Sequence, residues 1–202
     1  GSSIPEFDGI TSPGWLALID FDAGGTGNFA FEPSPSTIAF WLGDPPGSRV
    51  IDFAKPASDI SFFYTSFVDI TLEAFDTDGN SVAKANAPAN WNEGSGGDPN
   101  GTFNKWDPLG VQTDENVIKS VRVSGNVNQT GIDDLTVCRS LRIHSVEITQ
   151  AIQVWQTLDE LKDDLEDDGA PPVPIVALKP TALRVYLDEV DTVTEVRVQL
   201  RI

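Results

Sequence analysis

Gly, Pro, Asn and Asp cut this chain into short apolar runs, and that punctuation restricts it to a fold built almost wholly of strands. "WLALIDF", "STIAFWL", "RVIDF", "DISFFYT", "VDITLEAFD", "NVIKSVRVSG" and "GIDDLTV" are rich in the β-branched and aromatic residues that suit a pleated, half-buried surface. "VDITLEAFDTDGNSVAKA" predicts a hairpin. Val68, Ile70, Leu72 and Ala74 alternate with Asp69, Thr71, Glu73 and Phe75, and Asp78-Gly79 supplies positive φ at little cost. The start "DTDGN" looks like a calcium loop, but its glycine comes too early and the closing glutamate is missing, so the hairpin turn is the better reading. Residues up to about 138 therefore predict an antiparallel sandwich.

The texture changes after Cys138. "SLRIHSVEITQ" reads as another strand, and "TLDELKDDLEDDGAPP" as the one helix. Thr157 and Glu160 form a capping-box pair, Leu158, Leu161 and Leu165 make the apolar stripe, and Gly169, Pro171 and Pro172 end it. The rest returns to strands, the last of which reaches the terminus without a closing turn. The expected architecture is all-β: a jelly-roll-like antiparallel β-sandwich over residues 4–138, then a second β-domain over residues 139–202, cut short and containing one short helix.

Charge narrows the partners. The 202 residues hold 31 acids against 13 bases, a formal net charge of -18. Phosphate backbones and anionic membrane surfaces call for the opposite field, so neither nucleic acid nor a membrane surface is an expected partner. No stretch approaches the ~18 apolar residues of a membrane span. Cys138 is the only cysteine, so no intrachain disulfide forms. The opening Gly-Ser-Ser reads as the remnant of a cleaved tag, and the absence of methionine reads as a piece excised from a longer protein.

Two features stand out chemically. In "QTGIDDLTVC" a regular strand puts Asp133 on the same face as Leu135 and Val137, with Asp134 opposite. A buried, unpaired carboxylate costs several kcal/mol or takes up a proton, so backbone amides, a basic side chain or a metal ion must compensate it. The second feature is the Gly-, Asn- and Pro-dense segment from 85 to 110, whose Trp91, Phe103 and Trp106 argue against plain disorder. Trp91 and Trp106 either stack on sugar rings, with Asn and Asp bonding the hydroxyls, or cover the open end of the sandwich. His144 and Cys138 lie in no nucleophile or metal motif, and no pair of carboxylates is singled out for glycoside hydrolysis. No enzyme activity is expected.

"NFAFEPSPSTIAFW", "ISFFYTSFVDITLEAFDTDGNSVA" and "IKSVRVSGNVNQTGIDDLTV", together most of residues 25–138, resemble a β-sandwich module of bacterial exported and cell-surface proteins, often those carrying a PEP-CTERM sorting signal. Such modules are similar in shape to galactose-binding-like jelly rolls, which often hold a structural calcium near an Ile-Asp at the end of the last strand. Asp133 matches that Asp. The resemblance implies calcium as a structural cofactor at Asp133; calcium takes six to eight oxygens, and Asp134, Asp8 of "PEFDG" and Glu32 of "FEPSPS" are the candidates for further ligands. "VEITQAIQ" followed by "VPIVALKPTALRVYL" resembles an Ig-like segment of large secreted bacterial proteins, some of which carry a zinc peptidase domain elsewhere; no HExxH motif occurs here. The implied function is a non-catalytic binding or structural module, extracellular or on the cell surface, with glycans or other surface proteins as partners. The rival reading is a glycan-cleaving jelly roll, or accessory domains of a secreted metallopeptidase.

Overall fold

The structure is a computed structural model that describes residues 1–34, 36–43, 48–94, 101–140, 143–149, 153–157 and 182–187. All regular secondary structure in these residues is strand. The helix expected after Thr157 lies outside them. The chain divides into two compact units, Gly1–Ser140 and Leu141–Ile202.

The first unit is a sandwich of two antiparallel sheets. Its strands are β1 (Ser2–Ser3), β2 (Ile10–Thr11), β3 (Leu16–Ile19), β4 (Thr37–Phe40), β5 (Ser48–Ala57), β6 (Asp59–Ser66), β7 (Ile70–Phe75), β8 (Ser81–Ala87), β9 (Asn92–Glu93), β10 (Gly101–Thr102), β11 (Asp107–Gln112), β12 (Ile118–Ser124) and β13 (Thr130–Cys138). One sheet runs β1-β3-β4-β13-β6-β11, and the other β2-β5-β12-β7-β8. β9 and β10 form a separate two-stranded ribbon. Ser2 and Ser3 of the opening Gly-Ser-Ser pair with Ala17 and Leu16 as an edge strand.

Alternation of side chains builds the core. Ile60, Phe62 and Tyr64 of β6 face Ile70, Leu72 and Ala74 of β7 and Val121 and Val123 of β12 across the sandwich, all at 2 % exposure or less. Each of the larger aliphatic side chains and Phe62 contributes about 1.5–3 kcal/mol relative to its exposed state. The β7–β8 hairpin forms as its pattern predicts. Gly79 takes φ 81°, and the Asp76 carboxylate accepts the amides of Asp78 and Asn80, which closes the turn.

A second cluster decides where the loops go. Ile38 and Phe40 alternate with Ala39 on β4, so they point away from the main core and pack with Phe29 and Phe103. Phe29 stacks on Phe103 with ring centroids 4.8 Å apart. The outer face of β3 and β4 is thus apolar, and Phe29, Trp91, Phe103 and Trp106 pack over it.

In the second unit β14 (Ile143–Thr149) pairs antiparallel with β15 (Gln153–Thr157) on one side and β16 (Ala182–Leu187) on the other. Glu147, 1 % exposed, accepts hydrogen bonds from Arg184 Nη1 at 3.1 Å and Tyr186 Oη at 2.7 Å. Pairing to a cation and a hydroxyl is what makes a buried carboxylate tolerable in a strand.

Candidate metal centre

The connection from β3 to β4 leaves the sheet at Asp20 and returns at Thr37, and its own acids wind it up. Asp20 Oδ1 accepts the Ala23 amide at 3.0 Å, Asp22 Oδ1 the Phe31 amide at 3.0 Å, and Glu32 Oε1 the Ser36 amide at 2.8 Å. Short acidic side chains take main-chain donors in this way wherever a loop has no ladder partner. Gly25 makes the first bend possible. Its amide bonds Asp20 O at 2.7 Å, and a Cβ there would lie 1.9 Å from Ile19 O.

This winding draws three carboxyl groups together. One oxygen from each of Asp20, Asp22 and Glu32 lies within 4.8 Å of the others. Asp20 is 1 % exposed, and apart from the Ala23 amide its carboxyl meets the other acids, Glu32 and Asp22. Glu32 Oε2 is sealed from solvent and, among the described residues, receives no hydrogen bond. Burial, and then the carboxyls of Glu32 and Asp22, push the Asp20 pKa up to about 7. Asp22, exposed, is shifted the other way, lowered by hydrogen bonds from Asp20 and from the Phe31 amide. Among the described residues no cationic side chain enters the group, so a proton or a bound cation must relieve it. Such a cluster can hold a metal ion.

The loop also displays aromatic surface. Phe31 adopts φ 58°, a strained value for an aromatic residue, and its ring is 66 % exposed; Phe21 is 63 % exposed.

Of the four acids named from the sequence, the fold brings only Glu32 into this cluster. Asp133 sits elsewhere, and its compensation is local. Its Oδ2 accepts the Ser34 amide and its Oδ1 the Ser34 hydroxyl, each at 2.7 Å. The face assigned to it needs correcting. Asp133 pairs with Phe63 but Thr136 pairs with Ser61, so Asp134 and Leu135 together oppose Phe62 in a β-bulge. The extra residue flips the phase. Leu135 and Val137 pack against the main core, while Asp133 lies on the outer face with Gly131, where an added Cβ would meet Phe29 and Ile38. Asp134 is the bulged residue, exposed, with φ 52°. Asp8 occupies a tight turn at φ 49°, next to Gly9 at 71°, between the mutually bonded Phe7 and Ile10.

The two tryptophans pack against the cluster of Phe29, Ile38, Phe40 and Phe103. Trp91 packs on Phe67 with centroids 4.8 Å apart and leans on Phe103 at 6.5 Å. Trp106 Nε1 donates to Ala30 O at 3.0 Å, which ties the 85–110 segment to the acidic loop. Both indoles are half-buried. Cys138 is exposed and free, and His144 Nδ1 lies 3.2 Å from Ser145 Oγ.

Sequence reasoning missed Asp20 and Asp22. The signal was present as two acids, two residues apart, where the apolar run "WLALI" meets the glycine-rich "DAGGTG". It was absorbed into the strand because "IDF" continues the apolar pattern. No family model matches the chain, and no curated protein matches it either.

Proposed function

We propose that this chain is a non-catalytic extracellular binding or structural module of a larger bacterial surface or secreted protein, and that its sandwich is stabilised by calcium held in the β3–β4 loop. The observation that carries the reading is the convergence of Asp20, Asp22 and Glu32, with Asp20 buried among carboxyls. Three carboxylates supply three to six of the six to eight oxygens that calcium takes, and its loose geometry accepts main-chain carbonyls and water for the rest. Magnesium, which demands a tight octahedron, suits an irregular loop less well. The role is structural because the loop anchors itself to the sheet through its own Phe29, which packs on Ile38, Phe40 and Phe103. Glycans or other surface proteins are the partner classes in keeping with an acidic, strand-built module, and the exposed rings of Phe21 and Phe31 adjoin the acidic group in the chain.

The test is thermal unfolding in excess chelator and in calcium. A cation held at ~100 times its dissociation constant adds about 2.7 kcal/mol to the stability. Calcium should raise the melting temperature and magnesium should raise it much less. Identical melting in chelator and in calcium would sink the calcium reading.

A further inference from the structure

We infer that Asp133 is a positioning residue for this metal centre, acting through Ser34 to set the Glu32 carboxylate, and that it does not itself touch the ion. The inference rests on the cation reading above. Its starting point is that both Asp133 oxygens are already committed to one residue, the Ser34 amide and hydroxyl, at 2.7 Å each. Two short bonds to a charged acceptor hold Ser34 against β13 more firmly than a neutral pair would. β13 lies at the centre of its sheet, between β4 and β6, so the anchor is rigid.

Ser34 is two residues from Glu32, and the residue between them is Pro33. Proline fixes its own φ and pushes the preceding residue toward extended backbone, so the Glu32-Pro33-Ser34 link transmits position with little slack. On the far side, the Ser36 amide grips Glu32 Oε1. Glu32 is therefore fixed from its C-terminal flank by two tethers, and its other oxygen, Oε2, is left sealed and without a hydrogen bond beside the Asp20 carboxyl. That oxygen and the buried Asp20 group, faced by acids, are what a cation would satisfy. Glu32 alone of the three reaches the cluster from the β4 side of the loop, so its placement sets the spacing of the group.

A positioning role and a ligand role make opposite demands on Asp133→Asn. Asparagine keeps the shape, accepts the Ser34 amide through its carbonyl and donates to the Ser34 hydroxyl oxygen through its NH₂, so the tether survives while the charge is lost. Alanine removes the tether. The experiment uses the full 202-residue chain, titrated with calcium by calorimetry and with terbium by luminescence lifetime in H₂O and D₂O, which counts the waters on the ion. The expected result is that Asp133→Asn binds within about threefold of the wild type with the same water count. Asp133→Ala should bind at least about tenfold more weakly and gain one or more waters as the Glu32 carboxylate swings away. Ser34→Ala, which removes only the hydroxyl bond, should fall between them and serves in place of Asp133→Ala if that variant does not fold. Thr130→Val, at the first residue of β13, removes the buried bond to Ser66 Oγ and the one from the Asn126 amide, and should lower stability without changing the affinity or the water count.

Equal binding and hydration in the wild type, Asp133→Ala and Ser34→Ala would overturn the inference. Equal losses in Asp133→Asn and Asp133→Ala would also overturn it, in favour of direct ligation. If the wild type binds neither calcium nor terbium, the underlying cation reading fails instead.

Discussion

Replacing Asp20 with asparagine should stabilise the calcium-free protein above neutral pH, although it alters a buried polar group. Asp20 is 1 % exposed, and its pKa stands at about 7 against a reference of 3.8. For an acid whose folded pKa is raised, the folded state holds the extra proton. Stability is therefore full below about pH 4 and is lost as the pH climbs through 7. A shift of about three units corresponds to at most about 4 kcal/mol. The solvent reaching Asp22 beside it screens part of that, leaving an effect of about 1–3 kcal/mol. The substituted amide would imitate the protonated acid at every pH. In chelator, Asp20→Asn should match the wild type below about pH 4, gain on it as the pH rises towards 7, and melt several degrees higher at pH 8, at about 3 °C per kcal/mol for a unit of this size. Calcium should reverse the order at pH 8, because only the wild type keeps the charge that binds it. Intrinsic fluorescence is a suitable probe, since Trp15, Trp41, Trp91 and Trp106 all lie in the first unit. A variant that loses the same stability at pH 4 and pH 8 in chelator would refute the reasoning, because Asp20 would then be a hydrogen-bonded acid under no charge strain.

Two further substitutions probe the covering segment and the bulge. Gly101→Ala would set a Cβ 1.9 Å from Cζ3 of Trp91, so the indole must leave its place on Phe67 and Phe103; the expected result is a loss of about 1–3 kcal/mol in chemical denaturation and a red-shifted native emission. Asp134→Ala should cost about 1 kcal/mol, because alanine tolerates φ 52° less well than aspartate, whereas Asp134→Gly should be neutral or better; equal effects of the two in equilibrium unfolding would show that the bulge relaxes.

Much of the fold was legible in the chain because strand patterning is local. Ile70, Leu72 and Ala74 had to share a face whatever they packed against, and Asp78-Gly79 had to turn, since each depends only on neighbours in sequence. The all-β class follows from those local rules repeated. The acidic character of the chain was equally plain from counting, although counting could not say which acids meet.

Tertiary structure decided the site. One extra residue at Asp134 moved Asp133 from the inner to the outer face of its sheet, and a bulge of that kind leaves no mark in an alternating pattern until the partner strand supplies the register. Asp20 and Glu32 are twelve residues apart and became neighbours only because the β3–β4 loop is wound by its own carboxylates and held by the packing of its Phe29 and by the bond from the Trp106 indole to Ala30. Trp91 and Trp106 gained their place from an apolar outer face on β4, which the sequence shows as alternation without saying what covers it. Alternation is a property of one strand, and a single strand can report it. Convergence of charges is a property of several segments at once, and it exists only after the sheets have closed.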